Sequence, residues 1–220
     1  SGFSSPALWL LITGFVISIA MTNTGMARRV ALHLMRLFGK KPGGAILSPM
    51  IANLIVSPLT PSNTARTAAM LPIVEGVAQA YRVEPGKSNF GKALFIANTF
   101  ASNITAGGFL TATIPNPVAI GMMVTAMGGA AVATSWGFWA LAALPTTLVV
   151  LVGSQYVVRW IFPPEMKDIP GGLDYIEKEL EAMGPTTTRE KKAMLYFLLA
   201  LVLWSTDMWR SEEHTSELQS

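Results

Sequence analysis

The sequence contains no cysteine and only two histidines, His33 and His214, among its 220 residues. Disulfides and thiol catalysis are therefore excluded for this chain, and no histidine-based metal cluster is expected. Charge is also scarce, because Asp, Glu, Lys and Arg make up 13% of the residues and the 66 residues from Ala93 to Val158 include none of them. Soluble domains average about 25% charged residues, so this composition predicts a membrane protein.

These absences also narrow the function. The long charge-free stretch offers no paired acids, no nucleophile with a base and no metal ligands, which argues against a membrane-embedded enzyme. No basic stripe with interleaved aromatics is present, so no nucleic-acid partner is expected. A sodium/proton antiporter is a more remote alternative, because proton coupling usually requires buried acids.

The two ends of the sequence are unusual. There is no initiator methionine and no signal-peptide pattern, so we expect Ser1 to be an internal starting point. The last residues, 210–220, read RSEEHTSELQS and resemble the translation of a common sequencing adaptor. We expect this segment to be a non-native tail and the natural protein to continue past Trp209, although a native polar tail is the alternative.

The apolar runs predict an all-α polytopic membrane protein. A basic amphipathic helix at 27–39 is expected at the membrane interface, and a polar loop with a surface helix at 163–192. The run at 93–127 would be about 52 Å long as one helix, more than a bilayer needs, so it must be broken or steeply tilted. The expected membrane segments are spans at about 6–25, 93–127, 133–162 and 193–209, and a helical hairpin at 46–80.

Lysine and arginine are distributed asymmetrically. They fall in 28–41, 82–92 and 159–192, which share one side of the membrane if 46–80 enters and leaves by the same face. The positive-inside rule makes that side cytoplasmic, and the uncharged turns at 1–5 and 128–134 would face the other side. We therefore expect a multi-pass protein of the plasma (bacterial inner) membrane, with Arg66 as the exception to the pattern.

Two interpretations of the hairpin remain open. Two full spans would place Arg66 in the far headgroups, whereas two short arms of about 24 Å would form a re-entrant hairpin that ends near the midplane. Arm length favours the re-entrant form. Its returning helix would begin at Ser62, Asn63 and Thr64 with free N–H groups that attract a carboxylate, while the carbonyl end at Thr60 could coordinate a cation. In the alternative, these residues cap an ordinary turn.

The long apolar run has a matching break. Residues 107–117 read GGFLTATIPNP and place Gly108, Thr111, Thr113, Pro115 and Asn116 in a segment that should unwind. A hairpin tip together with a broken helix is typical of a transporter binding site at a repeat interface. A proline kink without any ligand is the alternative.

Several motifs carry a family resemblance. TGMARRVA, TPSNTARTA followed by LPIV, FLTATIPNP, SWGFWALAALP, FPPEMK and MGPTTTREKK occur in this order between about Leu8 and Trp209. The chain resembles the divalent anion/sodium symporter family, in particular its citrate, dicarboxylate and 2-oxoglutarate/malate carriers. The resemblance implies the first of two inverted repeats, each with a re-entrant hairpin and a broken transmembrane helix, and a homodimer in the full-length protein.

The resemblance also implies a site. The substrate, a di- or tricarboxylate such as citrate, succinate, malate or 2-oxoglutarate, would contact Ser62, Asn63, Thr64, Thr113, Pro115 and Asn116. A cation or its replacement would contact Thr60, Ser62, Asn63, Gly108, Thr111 and Arg66. No cofactor is expected, and sodium ions are the alternative.

Arg66 raises the question of coupling. A fixed guanidinium near the tip could stand in for a bound cation, so the sequence-based hypothesis is anion exchange by alternating access. Sodium-coupled dicarboxylate symport is the close alternative. Arg66 could instead form a structural pair with Glu75, or with residues of the natural protein that this sequence lacks.

Overall fold

The computed structural model describes residues 6–39, 41–80, 83–84, 86–126, 135–166 and 172–217, and these residues form helices and turns without a strand. The predicted all-α class is therefore confirmed. The expected uncharged turns at 1–5 and 128–134 lie outside the described residues.

Nine α-helices follow one another along this part of the chain, and two short 3₁₀ turns interrupt them. The helices are α1 (Pro6–Thr24), α2 (Met26–Phe38), α3 (Pro42–Val56), α4 (Asn63–Ala80), α5 (Asn89–Ala106), α6 (Pro115–Ala126), α7 (Trp136–Ile161), α8 (Gly172–Ala182) and α9 (Thr188–Glu217). The 3₁₀ turns are Ser57–Leu59, after α3, and Leu110–Ala112, between α5 and α6.

Side-chain caps explain where two of the long helices begin. Ser88 Oγ accepts a hydrogen bond from Gly91 N at 3.2 Å, so α5 starts four residues before the expected 93. Ser135 Oγ accepts from Phe138 N at 3.1 Å, and α7 starts at Trp136. Local hydroxyl chemistry sets these boundaries more sharply than hydropathy does.

Two of the described helical segments are long and apolar enough to cross a membrane, Pro42–Leu59 and Trp136–Ile161. They differ in burial, since 67% of the apolar window is buried in the first and 22% in the second. The first segment is thus a core element. The second, α7, leaves most of its apolar side chains exposed on the outside of the molecule.

Helix α5 packs against both arms of the hairpin formed by α3 and α4. Its buried residues Ala93, Ala97 and Ala101 are small, which lets the backbones approach closely. A polar contact lies in the same interface, where Asn53 Nδ2 donates to Asn98 Oδ1 at 2.9 Å. The hairpin and the first half of the broken helix therefore form one packed unit.

Polar contacts join α2 to α8 and α9, and the start of α5 to the segment after α7. Arg29 Nε donates to Glu190 at 2.8 Å, and this pair between α2 and α9 is buried. The Glu165 carboxylate accepts from the backbone N–H groups at the start of α5. Two exposed ion pairs join α2 to α8, Arg28–Glu179 and Arg36–Glu177. The basic segments thus assemble on the same side of the molecule.

Candidate substrate and cation site

The tip of the hairpin is a capped helix start. Ser62 Oγ accepts a hydrogen bond from Ala65 N at 3.2 Å, and Asn63 Oδ1 accepts from Thr64 N at 3.0 Å. Two of the N–H groups that the sequence analysis left free for a carboxylate are therefore bonded to these side chains. A ligand at this end of α4 would bind to the capping side chains or displace them.

Helix α5 holds the tip in place. Asn63 Nδ2 donates to Asn103 Oδ1 at 2.9 Å, and Ser102 Oγ donates to the Asn63 carbonyl at 2.7 Å. The Asn63 side chain is thus engaged at both ends, by Asn103 and by its own helix start. Its orientation depends on α5 as much as on the hairpin.

Arg66 lies one turn into α4 and is almost fully buried, with 1% of its surface exposed. Its Nη2 donates to Ser102 O at 2.7 Å and to Thr105 Oγ1 at 3.3 Å. Its Nη1 lies 3.1 Å from Thr60 O, 3.4 Å from Ser57 O and 3.5 Å from Ala112 O. The guanidinium therefore donates hydrogen bonds to carbonyls at the end of the incoming arm, in α5 and in the 3₁₀ turn of the broken helix.

This carbonyl cluster has the chemistry of a cation site. Carbonyls at the ends of helices carry partial negative charge, and such groups coordinate alkali cations in transporters with broken helices. Here a side-chain cation makes the contacts. The Glu75 carboxylate is exposed on the same helix and does not pair with Arg66, so the structural pair considered above is absent.

The break in the long apolar run lies where it was expected. Helix α5 ends at Ala106 and α6 begins at Pro115. Asn116 Nδ2 donates to Ala106 O at 2.8 Å and to Phe109 O at 3.0 Å. The amide thus binds the last carbonyl of α5 and a carbonyl within the break, which also accepts from Ala112 N at 3.0 Å.

The middle of the break contacts both the hairpin and α7. Thr111 Oγ1 donates to Pro58 O at 3.2 Å and accepts from Trp136 Nε1 at 3.1 Å. A side chain added at Gly108 would place its Cβ 3.1 Å from a Thr147 methyl group, so the residue sits tightly against α7. Thr111 and Gly108 therefore have structural contacts at the positions predicted for cation ligands.

The remaining predicted residues are more accessible. Ser62, Asn63 and Thr113 are half-buried, whereas Thr64 and Pro115 are exposed. The 3₁₀ turn 57–59 packs against the 3₁₀ turn 110–112, and this contact brings the hairpin tip and the break together. The arrangement leaves hydroxyl and amide groups from two elements next to one buried positive charge.

Sequence reasoning missed the contribution of α5. Asn98, Ser102 and Thr105 are buried and share the face that contacts the hairpin. Their spacing of four and three residues on an apolar helix was the available signal. It could not show that Ser102 and Thr105 would bind the Arg66 guanidinium.

Comparison with known proteins identifies the family of the chain. A family model described as "Sodium:sulfate symporter transmembrane region" matches residues 1–215. The chain is 34% identical over 208 residues to the "Putative malate transporter YflS" of Bacillus subtilis, which covers 93% of this chain and 43% of that protein. It is 33% identical over 208 residues to the "L-tartrate/succinate antiporter" of Escherichia coli K12, which covers 93% of this chain and 42% of that protein.

The chain thus spans less than half the length of these curated relatives. Both relatives are named as transporters, which agrees with the prediction from the sequence that the protein is not an enzyme. The family predicted from the motifs is confirmed, because the family model matches almost the whole chain. The chain belongs to the sodium:sulfate symporter transmembrane family.

Proposed function

We propose that the carrier containing this chain exchanges di- or tricarboxylates across a membrane by alternating access, and that Arg66 replaces a transported cation. The observation that carries the proposal is the buried guanidinium in its cluster of backbone carbonyls. Relatives named for malate and for tartrate/succinate support a dicarboxylate as the substrate class.

A fixed cation favours exchange over symport for an electrostatic reason. A symporter can release its sodium ion and return empty, so the site is not left with uncompensated charge. Arg66 cannot leave. Because a buried charge without a counter-charge is costly in a low-dielectric environment, the site should change sides readily when a carboxylate is bound and slowly when it is empty. This coupling obliges one anion to be exchanged for another.

Within this proposal, the substrate carboxylate binds Ser62, Asn63 and Thr64 at the hairpin tip and Thr113 at the break. Pro115 and Asn116 shape the second side of the site. The residues Thr60, Gly108 and Thr111 form the wall of the carbonyl cluster that Arg66 fills. No resident cofactor is required, and sodium would bind there in a carrier that lacked the guanidinium.

The proposal also includes a membrane topology. The basic face formed by α2, α8 and the starts of α5 and α9 would be cytoplasmic by the positive-inside rule. The hairpin would be re-entrant, because Arg66, one turn from the tip, is buried in protein rather than placed where headgroups could reach it. We place the carrier in the bacterial inner membrane as a homodimer, as the family resemblance implies.

Sodium-coupled symport is the second candidate, because the family description itself names sodium. Uptake of labelled succinate into proteoliposomes that contain the full-length carrier separates the two. Exchange requires uptake that depends on internal dicarboxylate and is indifferent to sodium. Sodium-driven uptake into liposomes without internal dicarboxylate would overturn the proposal.

Variants of Arg66 test its role directly. Arg66→Ala should lower exchange at least about tenfold, because the carbonyl cluster loses a charge that makes strong hydrogen bonds. Sodium, but not choline, should restore part of the activity by occupying the emptied cluster. Arg189→Gln is the matched control, since Arg189 is exposed. If Arg66→Ala folds and exchanges like the control, Arg66 has no part in the mechanism.

A further inference from the structure

A cavity lies away from the hairpin tip, between the start of α3 and the end of α7. Its volume is about 610 Å³. The lining includes Lys41, Gly43, Gln155 and Arg159, together with apolar residues such as Val152. None of these residues belongs to the site described above, and the lining holds no Asp or Glu among the residues that the structure describes.

Three positive groups converge on this cavity. The first turn of α3 begins after Lys41, and N–H groups at a helix start lack helical partners and carry partial positive charge. The Arg159 guanidinium lies against this turn, because a Cβ added at Gly43 would be 3.0 Å from Arg159 Cζ. None of the ion pairs found among the described residues includes Lys41 or Arg159. The cavity therefore attracts an anion.

Gln155 provides independent evidence for a ligand. The residue is 7% exposed, and its amide nitrogen Nε2 donates to Gly43 O at 3.1 Å. Its Oε1 is buried and has no hydrogen-bond partner among the described residues. An unpaired buried acceptor costs free energy, so a ligand that places a donor here would be favoured. The ligand should thus combine a negative group with a hydrogen-bond donor.

The surroundings indicate the type of ligand. The outer face of α7 is apolar, with Val149 73% exposed and Val152 53% exposed. Tyr156 and Trp160 lie exposed near the end of the same helix, as aromatic residues do at a membrane interface. The cavity has the volume of a small-molecule site and opens next to a lipid-compatible surface. An inorganic phosphate alone would leave most of it unfilled.

We propose that this cavity binds the headgroup of a phospholipid whose headgroup carries a hydrogen-bond donor, such as phosphatidylethanolamine or phosphatidylglycerol. The phosphodiester interacts with Lys41, Arg159 and the first turn of α3. The ammonium or hydroxyl group donates to Gln155 Oε1, and the acyl chains follow α7. This lipid site is independent of the carboxylate site and of the exchange mechanism.

Native mass spectrometry of the full-length carrier in detergent, titrated with defined lipids, tests the proposal. Phosphatidylethanolamine and phosphatidylglycerol should each bind, and phosphatidylcholine, which lacks a donor, should bind about tenfold more weakly. Arg159→Gln should lower the affinity for all three by about tenfold, whereas Lys92→Gln, an exposed charge outside the cavity, should not. Equal binding by these two variants would overturn the proposal.

Two further variants identify the ligand groups. Gln155→Met should abolish the preference for phosphatidylethanolamine over phosphatidylcholine and leave the effect of Arg159 intact. Gly43→Ala favours the helix but displaces the guanidinium, so it should weaken lipid binding in a folded protein. A preference that persists in Gln155→Met would overturn the role of Gln155. Displacement of lipid by millimolar inorganic phosphate would show a free-anion site and overturn the lipid assignment.

Discussion

Asn116 offers the sharpest test of how the break in the long apolar run is built. The family resemblance implies a substrate ligand, yet its Nδ2 donates to Ala106 O at 2.8 Å and to Phe109 O at 3.0 Å. If these bonds hold the break together, Asn116→Ala removes a donor that two carbonyls share. The variant should then have a lower stability, and any loss of transport should follow from that loss.

The magnitude follows from the two bonds. The Ala106 carbonyl would lose its partner, at a cost of about 1–3 kcal/mol. The Phe109 carbonyl would keep a hydrogen bond from Ala112 N at 3.0 Å, so we expect a loss of about 1–3 kcal/mol in total. Asn116→Asp should be worse than Asn116→Ala, because a carboxylate would face the same two carbonyls without a donor. Thr113→Ala is the matched control in the same segment. Thr113 is half-buried, and its hydroxyl makes no hydrogen bond to any described residue, so its loss should stay within about 0.5 kcal/mol.

The assay is thermal unfolding of the purified full-length carrier, followed by intrinsic tryptophan fluorescence, in parallel with the concentration dependence of succinate uptake. We expect the melting temperature to fall in the order wild type, Asn116→Ala, Asn116→Asp. A variant Asn116→Ala that melts like the Thr113→Ala control but has a raised KM would refute the reasoning and make Asn116 a ligand rather than a cap.

Two further predictions concern the contacts that α8 and α9 make with α2 and α4. The Arg29 side chain lowers the pKa of the Glu190 carboxyl below its ordinary 4.5, although burial opposes this effect, so the pair should stabilise the fold above that pH and lose its contribution as the pH falls through the lowered value. Glu190→Gln should reduce the fall of the melting temperature at acid pH. A variant whose melting temperature falls with pH as in the wild type would contradict this prediction. A Cβ at Gly76 would overlap the Tyr175 ring, so Gly76→Ala should destabilise the contact between α4 and α8. Tyr175→Ala in the same chain should restore the melting temperature, and failure of this rescue would place the defect elsewhere.

The local structure of the site could be predicted from the sequence. The SNT cap, the helix start that follows it and the Gly- and Pro-marked break are each encoded within a few neighbouring residues, and the hydroxyl and amide chemistry of caps is short-range. Helix ends were predicted less accurately. Hydropathy does not register the caps at Ser88 and Ser135, so α5 and α7 begin a few residues from the hydropathy boundaries.

What the sequence by itself determined was the all-α class, the family and the two elements that meet at the site, because composition, hydropathy and motif spacing are properties of contiguous residues. Only the tertiary structure decided what Arg66 contacts, since Ser102 and Ala112 lie 36 and 46 residues away along the chain. The same holds for the pairing of Arg29 with Glu190, which are 161 residues apart. Many acceptors are available to each guanidinium, and the packing of helices selects among them.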